Sequence, residues 1–258
     1  MFRISAYTTS AGENNGVNED TFMIHCSPIK FLGKDEAEVY FTVKELPIVA
    51  GVFDGTGGEA FGKETSELAA RYMLQAPLDM ELKDVVHDIN HFICERTEHG
   101  YSTVSALKIL SHSEVTLVNC GDSRIYRLRE KEVKTLTRDD SMRYFYEIMY
   151  GEEEARRRGF LTEYLGKKSL NLEKGDFILK EGDVYVLVTD GAYNSVLEEN
   201  WSKFFEEEHR DIIGFLKKII KYGFVKDNLT AVVIEVLAKE RDENETEPDE
   251  WESKNKKG

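Results

Sequence analysis

Eight short apolar runs constrain this chain most, because each has the length and composition of one β-strand. The runs are rich in β-branched and aromatic residues, and Gly, Asn or Asp residues bound most of them. Tight turns rather than helices separate many of the runs, which favours antiparallel pairing. The predicted strands cover residues 20–26, 39–43, 48–53, 102–110, 115–119, 124–128, 184–188 and 229–236.

Four further segments have apolar residues at helical spacing. Residues 59–75 and 79–98 form one predicted helical pair, and a second pair is predicted near 139–158 and 210–222. Helices lying on the outer faces of antiparallel sheets would bury runs that are apolar on both sides. We therefore expect an α+β fold, a four-layer α-β-β-α sandwich of two antiparallel sheets flanked by helices.

Domain organisation follows from where apolar residues stop. The chain has 258 residues, of which 41% are hydrophobic, and none of its four prolines marks a linker between halves. We expect residues 1–238 to form one domain. Residues 239–258 contain Trp251 as their only large apolar side chain, so they are predicted to be a disordered, largely acidic tail.

Charge and cysteine usage exclude several classes of function. With 34 Lys and Arg against 49 Asp and Glu, the formal net charge is −15, which is unsuited to binding a phosphate backbone. No apolar run approaches the roughly 18–20 residues of a membrane span, and the N-terminus lacks a secretory signal pattern. The three cysteines form no CxxC pair and are expected to be reduced core thiols. We expect a cytoplasmic protein with no nucleic-acid or membrane partner.

Carboxylates stand in turns that directly adjoin the predicted apolar strands. Hard divalent cations such as Mg²⁺ and Mn²⁺ take oxygen ligands, and strand ends can project carboxylates into a shared cleft. The conformational preference of Asp and Gly for turns is the alternative explanation for each turn by itself. The residues concerned are Asp20, Asp54, Asp122, Asp190 and Asp227.

These turns belong to an ordered series of motifs. The series runs Asn18-Glu19-Asp20, Val52-Phe53-Asp54-Gly55-Thr56-Gly57-Gly58, Ser102-Thr103, Gly121-Asp122-Ser123-Arg124, Leu136-Thr137-Arg138-Asp139, Leu165-Gly166, Thr189-Asp190-Gly191 and Asp227-Asn228-Leu229-Thr230. In this order it resembles the type 2C (PPM) family of metal-dependent serine/threonine protein phosphatases, in its bacterial form. The resemblance covers about residues 12–237, and the family fold agrees with the sandwich expected above.

The resemblance implies the ligands of two Mg²⁺ or Mn²⁺ ions. Asp54 would bridge the ions, and Asp190 and Asp227 would complete the site of one of them. Glu19 and the carbonyl of Gly55 would serve the other ion, partly through water. Asp54, Asp190 and Asp227 are the implied catalytic residues.

Further roles are also implied by the resemblance. Asp122, together with Asp190, matches a position that holds a third and weaker ion in bacterial members. Asp20 would support the metal site from behind the ligands. Residues 139–175 would form a flap subdomain beside the cleft.

The implied reaction is the hydrolysis of phosphoserine and phosphothreonine in proteins. A water that bridges two metal ions has a lowered pKa and can attack phosphorus without a covalent enzyme intermediate. The partner would be a phosphorylated protein substrate, and the enzyme would oppose a Ser/Thr kinase in signalling.

Four positions depart from the family pattern. Asn15 stands where the family usually has an arginine that grips the substrate phosphate, and an amide cannot replace its bidentate, charged hydrogen bonds. Thr56, Tyr101 and Asp140 also differ from the usual residues, but none of these changes removes an implied metal ligand. The alternative function is therefore a catalytically weak or inactive relative that binds phosphoproteins as a regulator.

Other features have competing interpretations. Residues 57–63 fit the GxxxxGK pattern of a nucleotide-binding loop, but Glu64 occupies the Ser/Thr position that should contact Mg²⁺. Arg124 is expected to pair with a carboxylate and fix its turn. The aromatic run at 144–150 is expected to pack the flap helix, with a peptide-binding role for part of that face as the alternative.

Overall fold

The centre of the computed structural model is a pair of antiparallel β-sheets. The structure describes residues 1–10, 16–57, 59–97, 99–130, 132–151, 154–155, 160–196, 211–225 and 227–238. The strands are β1 (Phe2–Thr9), β2 (Asp20–Cys26), β3 (Ile29–Lys34), β4 (Ala37–Val43), β5 (Ile48–Thr56), β6 (Tyr101–Ser102), β7 (Val104–Ser111), β8 (Glu114–Cys120), β9 (Arg124–Arg129), β10 (Glu132–Thr135), β11 (Glu173–Ile178), β12 (Val184–Val188) and β13 (Leu229–Val236).

The strand order separates the two sheets cleanly. One sheet has the order β10-β9-β12-β13-β1-β4, and we call it the first sheet. The second sheet has the order β11-β8-β7-β5-β2-β3, with the short strand β6 paired to β5. Every described pairing is antiparallel, as the tight turns of the sequence predict.

The two sheets bury a shared apolar core. Ile4 and Ile234 from the first sheet belong to the same fully buried cluster as Phe22 and Leu107 from the second. Their burial removes two large apolar faces from water at once, which is the main favourable term in folding. The core therefore fixes the sheets face to face and brings their strand ends to common edges.

Helices cover the outer faces of both sheets. Helices α1 (Glu59–Gln75) and α2 (Leu82–Arg96) pack on the second sheet, where Ile89 and Ala69 share a buried cluster with Phe53. On the first sheet, Leu216 of the C-terminal helix Ile212–Lys221 packs with Val186. The predicted four-layer α-β-β-α sandwich is confirmed.

The structure also adds strands that the sequence pattern does not reveal. Strand β1 is central, between β13 and β4, yet its polar residues Arg3 and Ser5 dilute the apolar signal. Strands β10 and β11 are short edge strands with charged residues, which suits edges that must not pair with other chains. The predicted strand 102–110 is divided at Thr103 into β6 and β7.

Two expectations about packing are wrong. Helix α3 (Arg143–Tyr150) has no buried residue, so its aromatic side chains do not pack a flap core. Cys94 is exposed on the polar side of α2, whereas Cys26 and Cys120 are buried as expected. The predicted tail at 239–258 lies outside the described residues. Within the described ranges, no helix has the length and apolar character needed to cross a membrane.

Candidate metal-binding active site

Two aspartates from neighbouring strands of the second sheet form one side of the site. Asp20 is the first residue of β2 and is directly opposite Asp54 near the end of β5. Directly opposed residues of an antiparallel pair point to the same face, so the two carboxylates lie side by side. The predicted placement of these two residues at strand ends is confirmed.

Two aspartates from the first sheet form the other side. Asp190 follows β12 and begins the short helix α4 (Asp190–Tyr193), while Asp227 precedes β13. A Cβ added at Gly191 would lie 1.9 Å from the carbonyl oxygen of Asn228, so the two loops are in direct backbone contact. Only glycine allows this approach, which holds Asp190 beside Asp227.

A hydrogen-bonded chain joins the two sheets at the site. The hydroxyl of Thr189 donates to Asp20 Oδ2 at 2.7 Å, and Thr230 N donates to Thr189 Oγ1 at 3.0 Å. The Asn18 amide donates to Thr8 Oγ1 at 2.8 Å, and the Thr8 and Thr230 hydroxyls share a hydrogen bond of 2.6 Å. The buried Asp20 is therefore held from the opposite sheet.

Thr103 connects the turn of Asp54 to the turn of Asp122. Its hydroxyl accepts a hydrogen bond from Asp54 N at 3.0 Å and shares one with Ser123 at 2.7 Å. Its own N donates to Asp54 O at 2.8 Å. Gly121, at φ +105°, lies against the Thr103 side chain, where an added Cβ would be 2.6 Å from a methyl carbon. The Ser-Thr and Gly-Asp-Ser motifs thus fix the spacing of two carboxylates.

The start of α1 is packed against the Asp54-Gly55 turn. Gly55 N donates to Glu19 O at 3.2 Å, and Ser66 Oγ donates to the same oxygen at 2.5 Å. A Cβ at Gly55 would lie 2.0 Å from Gly62 O, and one at Gly62 would lie 2.9 Å from Glu19 Oε1. Glu19 and Gly55 are therefore held next to each other by paired glycines.

The pKa values report how close the carboxylates lie. Burial raises the pKa of Asp54 and of Asp190 well above its ordinary value, and repulsion from neighbouring carboxylates raises it further. Mainly because of burial, the pKa of Asp20 is raised to about 7 and that of Asp122 to about 6. The carboxylates that repel Asp54 are Asp20, Asp190, Asp122 and Asp227.

Such a cluster is unfavourable unless positive charge is supplied. Arg143 lowers the pKa of Asp122 and Asp190, and Arg124, the other arginine acting on Asp122, is bound to Asp139 at 2.7 and 2.9 Å. Buried carboxylates that repel one another, with oxygen as the only donor type, match the requirements of hard divalent cations. The donor chemistry therefore fits Mg²⁺ or Mn²⁺.

The carboxylates of the described residues do not surround one common point. In the described part of the chain, no three His, Cys, Asp or Glu side chains stand as a group that could hold a metal ion. Mg²⁺ keeps several waters and takes few protein carboxylates, so such a site does not require a closed protein cage. The structure brings the five aspartates together, and their individual ligand assignments stay predictions.

Three of the four positions that depart from the family pattern lie in the described part of the structure. Asn15 lies outside the described residues. Thr56 is exposed at the end of β5, and Tyr101 packs edge-on against Tyr164 with ring centroids 4.7 Å apart. Asp140 Oδ2 accepts a hydrogen bond from Gly121 N at 3.4 Å, so it supports the turn that precedes Asp122.

The alternative motifs lead elsewhere. Lys63 of the GxxxxGK pattern forms an ion pair with Asp35, in the turn between β3 and β4, so its charge is paired with a carboxylate. Arg124 pairs with Asp139 as expected and also lies over the Tyr193 ring, 3.8 Å from its centroid. Sequence reasoning missed Arg143, since a single arginine before an aromatic run carries no motif.

Comparisons with known proteins find similarity to serine/threonine phosphatases. No protein-family model matches the chain. The serine/threonine phosphatase stp of Listeria innocua is 27% identical over 246 residues, which are 83% of this chain and 95% of that protein. The serine/threonine protein phosphatase PstP of Mycobacterium tuberculosis is 27% identical over 239 residues, 83% of this chain and 44% of that protein.

Solved structures share the fold. The S. agalactiae serine/threonine phosphatase superposes with a TM-score of 0.71 at 20% identity, covering 92% of this chain and 100% of that chain. The catalytic domain of PstP in complex with two manganese ions gives a TM-score of 0.69 at 22% identity, again covering 92% and 100%.

The chain is a relative of the type 2C serine/threonine phosphatases. The ordered motifs of the type 2C family lie at the strand ends and turns described above. Thr189 and Thr230 belong to these motifs as well, but their part in holding Asp20 becomes visible only in the structure.

Proposed function

We propose that this chain is a serine/threonine protein phosphatase that depends on Mg²⁺ or Mn²⁺. The observation that carries the proposal is the convergence of five aspartates from the strand ends and turns of two sheets, where Asp20, Asp190, Asp122 and Asp227 all lie close enough to raise the pKa of Asp54. The substrate class comes from relatives, which are named serine/threonine phosphatases. An opposing Ser/Thr kinase follows from the same substrate class.

The residues divide the work of binding metal. Asp54 would contact both ions, Asp190 and Asp227 would complete one site, and Glu19 with the Gly55 carbonyl would serve the other. Bound divalent ions supply Lewis acidity, which lowers the pKa of water and offsets the charge of the phosphoryl group.

The remaining residues position these ligands. Thr189 holds Asp20, which lies next to Asp54, so the carboxylates of the two sheets keep one spacing. Thr103 fixes the backbone of Asp54 and the turn of Asp122, where a third and weaker ion would bind with Asp190. Preorganised charge of this kind costs no rearrangement when a phosphorylated side chain arrives.

We place the protein in the cytoplasm as part of the proposal. Its three cysteines, Cys26, Cys94 and Cys120, are free thiols, and proteins with free thiols are typical of reducing compartments.

Phosphate release from a phosphothreonine peptide tests the function. We expect turnover with Mn²⁺, none with EDTA, and a loss of about 100-fold or more in Asp54→Asn. Asp176→Asn is the matched control, because Asp176 lies on the edge strand β11 with an exposed side chain. Absence of turnover in a folded protein that binds Mn²⁺ by calorimetry would favour the phosphoprotein-binding regulator, and absence of Mn²⁺ binding would overturn the assignment of the carboxylates as metal ligands.

A further inference from the structure

Helices α1 and α2 enclose a cavity on the side of the second sheet that faces away from the first sheet. Its volume is about 350 Å³, within the roughly 300–1,000 Å³ that is usual for ligand pockets. Several of its apolar side chains are only partly buried, so the cavity is open to solvent. We call it the α1-α2 cavity, and its lining includes Leu68, Arg71, Tyr72, Pro77, Met80 and Phe92.

The α1-α2 cavity lies toward the end of the sandwich opposite the aspartates. Met80, in the connection between the two helices, accepts a hydrogen bond on its carbonyl oxygen from Lys108 Nζ at 2.7 Å. Lys108 is directly opposite Val49, the second residue of β5, whereas Asp54 is near the other end of that strand. The five residues between these positions correspond to roughly 17 Å along the sheet. The cavity is therefore separate from the candidate active site.

The chain leaves the described fold at this same end of the sandwich. Strand β13 begins two residues after Asp227 and ends at Val236. Val236 belongs to the same buried cluster as Ile48, the first residue of β5. The described residues end at Ala238, so residues 239–258 start from the end at which the α1-α2 cavity lies.

Trp251 is close enough in sequence to reach the α1-α2 cavity. Thirteen residues lead from Ala238 to Trp251, and a chain of that length spans up to roughly 43 Å when extended. The path from the first sheet to the helices crosses one gap between sheets of about 10 Å and one helical layer of about 10 Å. The segment is thus longer than the distance that it has to cover.

The lining of the α1-α2 cavity suits an indole ring. Tyr72 and Phe92 form an aromatic wall, with ring centroids 5.3 Å apart. A buried tryptophan also needs an acceptor for its N–H, and the carboxylate of Asp88 lines the same cavity. Trp251 is the only large apolar side chain in residues 239–258, so it is the residue of that segment that gains most from burial.

The charges beside the α1-α2 cavity are complementary to the sequence around Trp251. Residues 242–252 contain seven Asp and Glu and no Lys or Arg. The side chain of Arg71 lines the cavity and is 53% exposed, although it also approaches Glu67 at 3.4 Å. The guanidinium of Arg96 lies 4.2 Å from the centroid of the Phe92 ring. Two arginines therefore stand where acidic neighbours of a bound tryptophan would be stabilised.

We propose that the α1-α2 cavity binds Trp251 of the same chain, with Arg71 and Arg96 attracting the acidic residues around it. A tethered segment has an effective concentration near the millimolar range, so even a weak contact is occupied. This site is independent of the proposed phosphatase function, and its tests require neither metal nor turnover.

Fluorescence quenching by acrylamide tests whether Trp251 is covered. The chain has two tryptophans, so the full-length variant Trp201→Phe reports on Trp251 alone. Adding Arg71→Glu should raise the quenching constant about twofold or more, because repulsion replaces attraction. Adding Lys218→Glu instead, an equal change of charge on the helix that covers the first sheet, should leave the quenching constant unchanged.

Amide hydrogen exchange tests the cavity side without altering Trp201. In the full-length protein, we expect Trp251→Ser to speed exchange in residues 71–92 about threefold or more, since the helices lose a contact that restrains their opening. Arg71→Glu should have a similar effect. Combining it with Glu250→Lys and Glu252→Lys should restore part of the protection, which mere damage to α1 would not allow.

Two outcomes would overturn the proposal. In the first, Trp251 is quenched as strongly as N-acetyltryptophanamide, and Trp251→Ser leaves exchange in residues 71–92 unchanged. In the second, protection of these residues increases with protein concentration and light scattering shows dimers. The α1-α2 cavity would then bind Trp251 of a second copy rather than that of its own chain.

Discussion

Thr189 shows how much a single hydroxyl decides in this site. It donates to the buried carboxylate of Asp20 and accepts from the backbone of Thr230. A buried carboxylate without such a donor has lost its hydrogen bonds to water and has no replacement for them, which lowers the free energy of unfolding. The side chain that orients the carboxylates is thus one that carries no charge.

Removing this hydroxyl should be measurable. Thr189→Val leaves both Asp20 Oδ2 and Thr230 N without this partner, so we expect the free energy of unfolding to fall by about 1–3 kcal/mol in urea titrations. Thr189→Ser retains the hydroxyl and should lie close to wild type. Thr42→Val, on the exposed side of β4, should change it by no more than about 0.5 kcal/mol. Equal effects of the valine and serine variants at 189 would contradict the role of the hydrogen bond.

At the scale of elements, glycines set how closely the loops of the site approach. Gly191, in the turn after β12, is packed against the carbonyl of Asn228 before β13. Gly55 and Gly62 do the same between β5 and α1. The loops that carry the proposed metal ligands are therefore spaced by backbone contact rather than by side chains.

Gly191→Ala should force the two loops apart. The added carbon would meet a backbone oxygen at 1.9 Å, so we expect a loss of about 1–3 kcal/mol in stability. We also expect Mn²⁺ affinity to fall about 10–100-fold in calorimetry, since Asp190 and Asp227 would move relative to each other. Gly223→Ala has positive φ but meets no atom within 4 Å, so its stability should fall by about 1–2 kcal/mol with unchanged Mn²⁺ affinity. Unchanged Mn²⁺ affinity in Gly191→Ala would show that the contact between Gly191 and Asn228 does not affect metal binding.

The elements themselves were predictable where the pattern was strong. Strands 20–26, 184–188 and 229–236 and helix 59–75 have the predicted bounds, because long apolar or periodic runs leave little choice. Helix α3 was misjudged: its aromatic residues have helical spacing, but spacing gives no information about whether anything covers them. The five aspartates were predicted as a group. The position of Arg143 near them depends on how the segment before α3 packs against the turn of Asp122, and the sequence pattern gives no information about that packing.

For the whole molecule, the carboxylate cluster predicts how stability depends on pH and metal. The pKa of Asp122 is raised from 3.8 to about 6 and that of Asp20 to about 7. A carboxyl with a raised pKa in the folded state contributes stability below its unfolded pKa, and this contribution is lost as pH rises through the folded pKa. Through this cluster, the metal-free protein should become less stable between about pH 4 and pH 8.

Metal should reverse this loss. With Mn²⁺ at about 100 times its Kd, we expect a gain of about 2.7 kcal/mol at pH 8 and a smaller gain at pH 5, because protons compete for the same oxygens. Thermal unfolding with Mn²⁺ or EDTA at both pH values measures this. In Asp122→Asn the pH-dependent loss in EDTA should shrink by about 3 kcal/mol or less, since the pKa is raised from 3.8 to about 6. A metal-free protein whose stability is unaffected by this substitution at either pH would contradict the cluster's role.

The hydrogen bond from Thr189 to Asp20 has a mechanical consequence. It joins the residue after β12 to the first residue of β2 in the opposite sheet, at the edge that carries the aspartates, and the shared core of Ile4, Phe22, Leu107 and Ile234 joins the same sheets inside. The candidate site is therefore built from residues of both sheets rather than from one of them. A ligand bound at this site contacts both sheets and stabilises them against local opening. We therefore expect it to slow amide hydrogen exchange in both sheets, including at residues that the ligand does not contact.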